Sequence, residues 1–125
     1  LKDLRKKWTK LENTKNGGLE ITDAFFIKKD NGLLKIWFKD IYLISSDHVY
    51  LNIHSINNKP QQIRMSVGSM QELLPDFFFK ANRGSLINLN YLEQIFSQHI
   101  IVNKIEVQIP KSYRVQLIKL VKIAK

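Results

Sequence analysis

The sequence predicts a mostly β fold: short antiparallel strands, one short internal helix and helical termini. Three observations predict it. From Ala24 onward, brief runs of Phe, Ile, Leu, Val and Tyr alternate with turn residues. One stretch near Ser69 breaks that rhythm with a helix-start signal, and both ends of the chain are rich in Lys and Arg at helix-compatible spacing.

In order, residues 1–20 read as a basic amphipathic helix, a linker or N-terminal helix in which Leu1, Leu4, Trp8 and Leu11 share a face before Gly17 and Gly18. Residues 21–125 form the domain proper. AFFIKK and LLKIWF flank Asp30-Asn31-Gly32 and read as a hairpin, because Asn and Gly tolerate the positive φ of tight turns. DIYLISS and HVYLNIHS follow, with a polar turn at Ser45, Ser46 and Asp47 between them. Asn57-Asn58-Lys59-Pro60 marks another turn before QQIRMSV. Ser69 and Glu72 have capping-box spacing and Pro75 closes the segment, which predicts a short helix burying Met70, Leu73 and Leu74. FFFKA and SLINL then flank the turn Asn82-Arg83-Gly84. The last short strands are Leu92–Phe96, Ile100–Val102 and Ile105–Ile109, the final pair turning at Asn103-Lys104. After Pro110 the tail has Leu117, Leu120, Val121 and Ala124 on one helical face, with five cations and no acid.

Length and composition suit a single domain. At 125 residues, 44% hydrophobic and 25% charged, the chain can bury a core. With no Cys it has no disulfide, thiolate ligand or Cys nucleophile, which suits a cytoplasmic setting. No apolar run is long enough for a bilayer span, and the N-terminus lacks the apolar core of a secretory signal. Because the chain begins at Leu1, an upstream receiver or sensor domain is expected to precede it.

Enzyme signatures are missing. There is no Gly-rich phosphate loop, GxSxG elbow or HExxH, so no catalytic residue and no cofactor is expected. His48 and His54 stand six apart on an expected strand, facing one way, but without a third ligand they read as surface histidines rather than a metal site. Asp47 and His48 are adjacent, and neighbours on a strand point to opposite faces, which argues against an acid–base pair.

Charge points to a polyanionic partner. Twenty Lys and Arg against eleven Asp and Glu give a formal net charge of +9, and basic residues recur on turns: Lys28, Lys29, Lys59, Lys80, Arg83, Lys104, Lys111 and Arg114. On a protruding turn Arg83 could pair bidentately with guanine, and Asn82 or Asn103 with adenine; equally, Arg83 could be a solvated charge, and Asn82 and Gly84 plain turn residues. Asn88, among Leu86, Ile87 and Leu89, reads as a core polar group that holds backbone.

Several of these segments resemble the LytTR-type DNA-binding domain of bacterial transcription regulators. DIYLISS, the following Tyr50-Leu51, MQELLPDFF, FFKANRGSLINLNYLEQI and Ile109-Pro110-Lys111-Ser112 fall in the family's order over about Ala24 to Leu120. The resemblance implies an elongated, multi-sheet β fold whose loops enter successive major grooves of double-stranded DNA, as the output domain of a two-component response regulator. It implies DNA contacts from Asp47, His48 and Val49, from Asn82 and Arg83, and from Lys111, Tyr113 and Arg114, and a homodimer on direct-repeat sites. Asn82 replaces the usual His and Gly84 the usual Ser. The competing expectation is a basic β module that docks on a protein or anionic membrane surface through its cationic termini.

Overall fold

Short apolar runs separated by two-residue turns close into hairpins. In the computed structural model, which describes residues 23–124, the chain divides into two units, Leu1–Lys35 and Ile36–Lys125. The N-terminal helix expected over residues 1–20 lies outside the described residues. In the first unit β1 (Ala24–Lys29) buries Ala24 and Ile27 and pairs with β2 (Gly32–Trp37), which runs on past Lys35. The connecting residues are Asp30 and Asn31, one position earlier than the sequence suggested, and the positive φ falls on Asp30 (55°).

The second unit holds two antiparallel sheets. The larger has the order β5-β4-β3-β7-β6, from β3 (Ile41–Asp47), β4 (Tyr50–Ser55), β5 (Gln61–Arg64), β6 (Phe78–Asn82) and β7 (Ser85–Asn88). The smaller has the order β10-β9-β8, from β8 (Leu92–Ile95), β9 (His99–Val102) and β10 (Ile105–Gln108). Since β5 and β6 are opposite edges of one sheet, the chain must cross a face between them, and α1 (Val67–Leu73) makes that crossing, packed on β7. Its N-cap is Ser66, whose hydroxyl accepts the Ser69 N–H at 3.1 Å, so the helix starts a turn before the Ser69 boundary read from sequence. Met70 is fully buried as expected, but Leu73 is half exposed.

Strand alternation explains both faces of the large sheet. Leu86, Ile44 and Ile53 stand opposite one another across β7, β3 and β4, and all are buried. On the other face the row Phe79, Ile87, Leu43, His54 crosses β6, β7, β3 and β4. Of this row Phe79, Ile87 and Leu43 pack with Ile100, Val102 and Val107 of the small sheet and with Ile109 and Leu117. Leu117 belongs to α2 (Lys111–Leu120), which lies against β6. Full burial of such a side chain contributes roughly 1.5–3 kcal/mol. A bulge between Ile41 and Leu43 lets Tyr42 join the same packed face.

Asn88 behaves as its neighbours in sequence suggested. It is fully buried; its Nδ2 donates to the Ile41 carbonyl at 2.8 Å, and its Oδ1 accepts the Asn90 N–H at 2.9 Å, opening the 3-10 turn Leu89–Tyr91.

Candidate nucleic-acid interface

The sequence-derived contact residues lie on three connections: the β3–β4 turn, the β6–β7 turn, and the passage from β10 into α2. Asp47 pairs with Tyr50, which leaves His48 and Val49 as a two-residue loop. His48 therefore sits at the tip of a turn rather than on a strand with His54, and takes φ 60°. Its side chain is 91% exposed, with Nε2 3.8 Å from Asp47 Oδ1, close enough for a loose ion pair when the imidazole is protonated. Val49 is half exposed beside it. His54 is elsewhere, at the end of the core row. Burial holds its pKa below the ordinary histidine range, and its Nε2 lies 3.3 Å from Ser45 Oγ. Among the described residues no cluster of three or more His, Cys, Asp or Glu could hold a metal ion.

Arg83 and Gly84 form the β6–β7 turn. The Arg83 side chain is exposed and makes no hydrogen bond or ion pair among the described residues. Its two neighbours are fastened. A bulge between Lys80 and Asn82 turns the Asn82 side chain to the face that carries the small sheet. There Asn82 Nδ2 donates to the Gln108 carbonyl at 2.7 Å, while its Oδ1 accepts the Gly84 N–H at 3.0 Å. The Gly84 carbonyl accepts the Ser46 N–H at 2.8 Å. A β-carbon on Gly84 would require only that the Ser46 hydroxyl rotate aside, and Gly84 has no positive φ.

These bonds bring the three connections together. Ser46–Gly84 joins the root of the β3–β4 turn to the β6–β7 turn, and Asn82–Gln108 joins the latter to the end of β10. From there Ile109 is buried, its N–H bonded to the Gln98 carbonyl at 3.1 Å, and Pro110 caps α2 by accepting the Tyr113 and Arg114 N–H groups. Lys111 is exposed. Arg114 donates Nε–H to the Phe96 carbonyl at 2.7 Å, and the Phe96 ring stacks on His99. Asn82, Gln98, Gln108, Lys111 and Arg114 border one groove of about 600 Å³. Lys111 and Arg114 bring positive charge to this groove beside the start of α2, while the Glu106 carboxylate is engaged by Gln108 Nε2–H at 3.0 Å. Tyr113 points elsewhere: it packs against the core and borders a second groove with Phe79, Lys80 and Gln116.

Other sequence candidates lie apart. Asn103 and Lys104, both at positive φ, turn at the far end of β10 from Gln108, where Tyr91 O and Glu93 Oε1 hold their N–H groups. Lys59 follows the end of β4 remote from His48. Sequence reading also missed a polar row, Gln62, Asn52, Ser45, Ser85, Asn82, that crosses the large sheet one step inside the turns, with Gln62 Nε2 donating to Asn52 Oδ1 at 3.1 Å. Its signal was the polar residue at every second position of β4 and β5.

The second unit's two sheets carry exposed cations, Arg83 and Lys111, on connections gathered at one end, which suits a polyanionic partner. Residues 31–122 match the LytTr DNA-binding domain family, and the chain belongs to that family. Its fold is similar to that of the LytTr DNA-binding domain of a Bacillus cereus protein described as a methyl-accepting/DNA response regulator. The TM-score is 0.67 at 19% identity, over 78% of this chain and 95% of that one. The sequence has no match among curated proteins. Among the described residues no helix is long and apolar enough to cross a membrane.

Proposed function

We propose that this domain binds double-stranded DNA sequence-specifically, as the output domain of a bacterial response regulator, with no catalysis of its own. One observation carries the reading: Arg83, exposed and unpaired, stands on a turn fastened to both neighbouring connections. A guanidinium so presented can form the bidentate pair with guanine O6 and N7 in the major groove. His48 and Asp47 extend the surface on one side. Lys111 and Arg114 extend it on the other, supplying charge to phosphates or base edges, while Asn82 and Tyr113 support these groups from behind. An upstream receiver would set the activity, and two copies would occupy direct repeats.

Selection of duplexes from a random pool tests this. An enriched motif is expected, and Arg83→Ala should lower affinity for it by roughly 1–3 kcal/mol while relaxing preference at one base pair. Failure to enrich any motif at moderate salt would overturn sequence-specific recognition.

A further inference from the structure

Asn82 is the residue of the site whose two polar side-chain atoms are both engaged within the protein. To read adenine, an Asn presents its carbonyl oxygen and its amide together to the N6 and N7 positions. Here Oδ1 holds the Gly84 N–H and Nδ2 holds the Gln108 carbonyl, so the plane of the amide is set by the turn and by β10, and the one lone pair and one N–H left over are not free to turn toward a base edge. The bonds clamp the two sides of Arg83: one closes its turn across the residue that follows, and the other ties the residue that precedes it to β10. The bulge at Ala81 aims the amide there rather than outward. The Gly84–Ser46 backbone bond completes the clamp.

We propose that Asn82 is a positioning residue, acting on base recognition through Arg83 and not by touching DNA. A fixed turn lets the long Arg83 side chain start from one backbone geometry, so less freedom is lost on docking and the two N–H groups meet the base edge in register. This rests on Arg83 reading a base, as proposed above.

A double-mutant cycle in the intact chain separates the possibilities. The variants are Asn82→Ala, Arg83→Ala and both together, measured on a selected duplex, on the same duplex changed at the base pair whose preference Arg83→Ala abolishes, and on a scrambled duplex. Asn82→Ala should reduce discrimination at that base pair about tenfold, within the roughly 5- to 150-fold carried by a bidentate Arg–guanine pair. It should leave scrambled-duplex binding unchanged and add less than about twofold once Arg83 is gone. An undiminished loss in the Arg83→Ala background would mean that Asn82 touches DNA itself, and no loss at all would mean that the clamp is irrelevant. Either result overturns the proposal while Arg83 stays the reader. If Arg83→Ala itself keeps full discrimination, Arg83 is not the reader and the proposal falls with it. Should Asn82→Ala not fold, Asn82→Asp keeps the acceptor for Gly84 and loses the donor to Gln108. Its added charge weakens all duplexes alike, so the discrimination ratio is the reading, and an unchanged ratio refutes the clamp to β10.

Discussion

Replacing Asn88 by alanine should destabilise the domain without touching its DNA surface. Both Asn88 and Ile41 are fully buried, so the substitution leaves the Ile41 carbonyl with no side-chain donor and no route to water. Asn90 N–H loses its acceptor as well, though it lies nearer solvent. A net hydrogen bond contributes about 0.5–1.5 kcal/mol, and a buried orphaned group costs about 1–3 kcal/mol. The main penalty is the stranded carbonyl, the second bond adds less, and together they come to about 3 kcal/mol. That is a large fraction of the roughly 5–15 kcal/mol typical of a domain, and lowers Tm by about 12 °C at roughly 4 °C per kcal/mol. Urea unfolding followed by circular dichroism measures it, with the slope against denaturant unchanged if only the native state is affected. Below its own transition the variant should bind DNA as wild type does. A loss under about 1 kcal/mol would refute the assignment of Asn88 as the donor on which the buried Ile41 carbonyl depends.

Other substitutions test other parts. Because burial lowers the His54 pKa, the unfolded chain binds more protons between the folded value and about 6.5. Stability should therefore fall as pH drops below about 6.5 and level off below the folded pKa; melting curves of His54→Gln across that range should show a flatter acid limb. Lys111→Ala should weaken cognate and scrambled duplexes alike and reduce the slope of log K against log salt by about 0.9, measured by fluorescence anisotropy, if Lys111 neutralises one phosphate. His48→Gly removes a β-carbon from a left-handed position and should leave stability unchanged or raise it by up to about 1 kcal/mol. The same change deletes an imidazole from the turn tip and should lower specific affinity.

Local chemistry was legible in the sequence and cross-chain geometry was not. Turn residues located the β1–β2, β6–β7 and β9–β10 hairpins, whereas Ser45, Ser46 and Asp47, expected as a turn, complete β3 and the turn falls on His48 and Val49; the apolar setting of Asn88 announced a buried amide. Boundaries slipped where two neighbours could serve the same purpose, Ser66 for Ser69 as cap and Asp30 for Asn31 at the left-handed position. Nothing near Asn82 in sequence says that its partner is Gln108, because that bond depends on a bulge in β6 and on the small sheet lying over the large one. The Tyr113 packing has the same origin: the face of α2 that is buried is decided by β6, which lies far away along the chain.

The fastening of the turns has a consequence for how binding and folding depend on each other. If these turns read bases as proposed, discrimination draws on parts of the chain held together by Ser46–Gly84 and Asn82–Gln108, whereas attraction to phosphate requires only cations. Melting the sheets should therefore abolish sequence preference in a single cooperative step, at the same midpoint as the loss of β structure. The basic segment after Pro110 would still adhere to any polyanion. An unfolded copy would then compete for the same polyanions without discriminating among sequences, and cooperative unfolding would limit how many such copies coexist with the native domain.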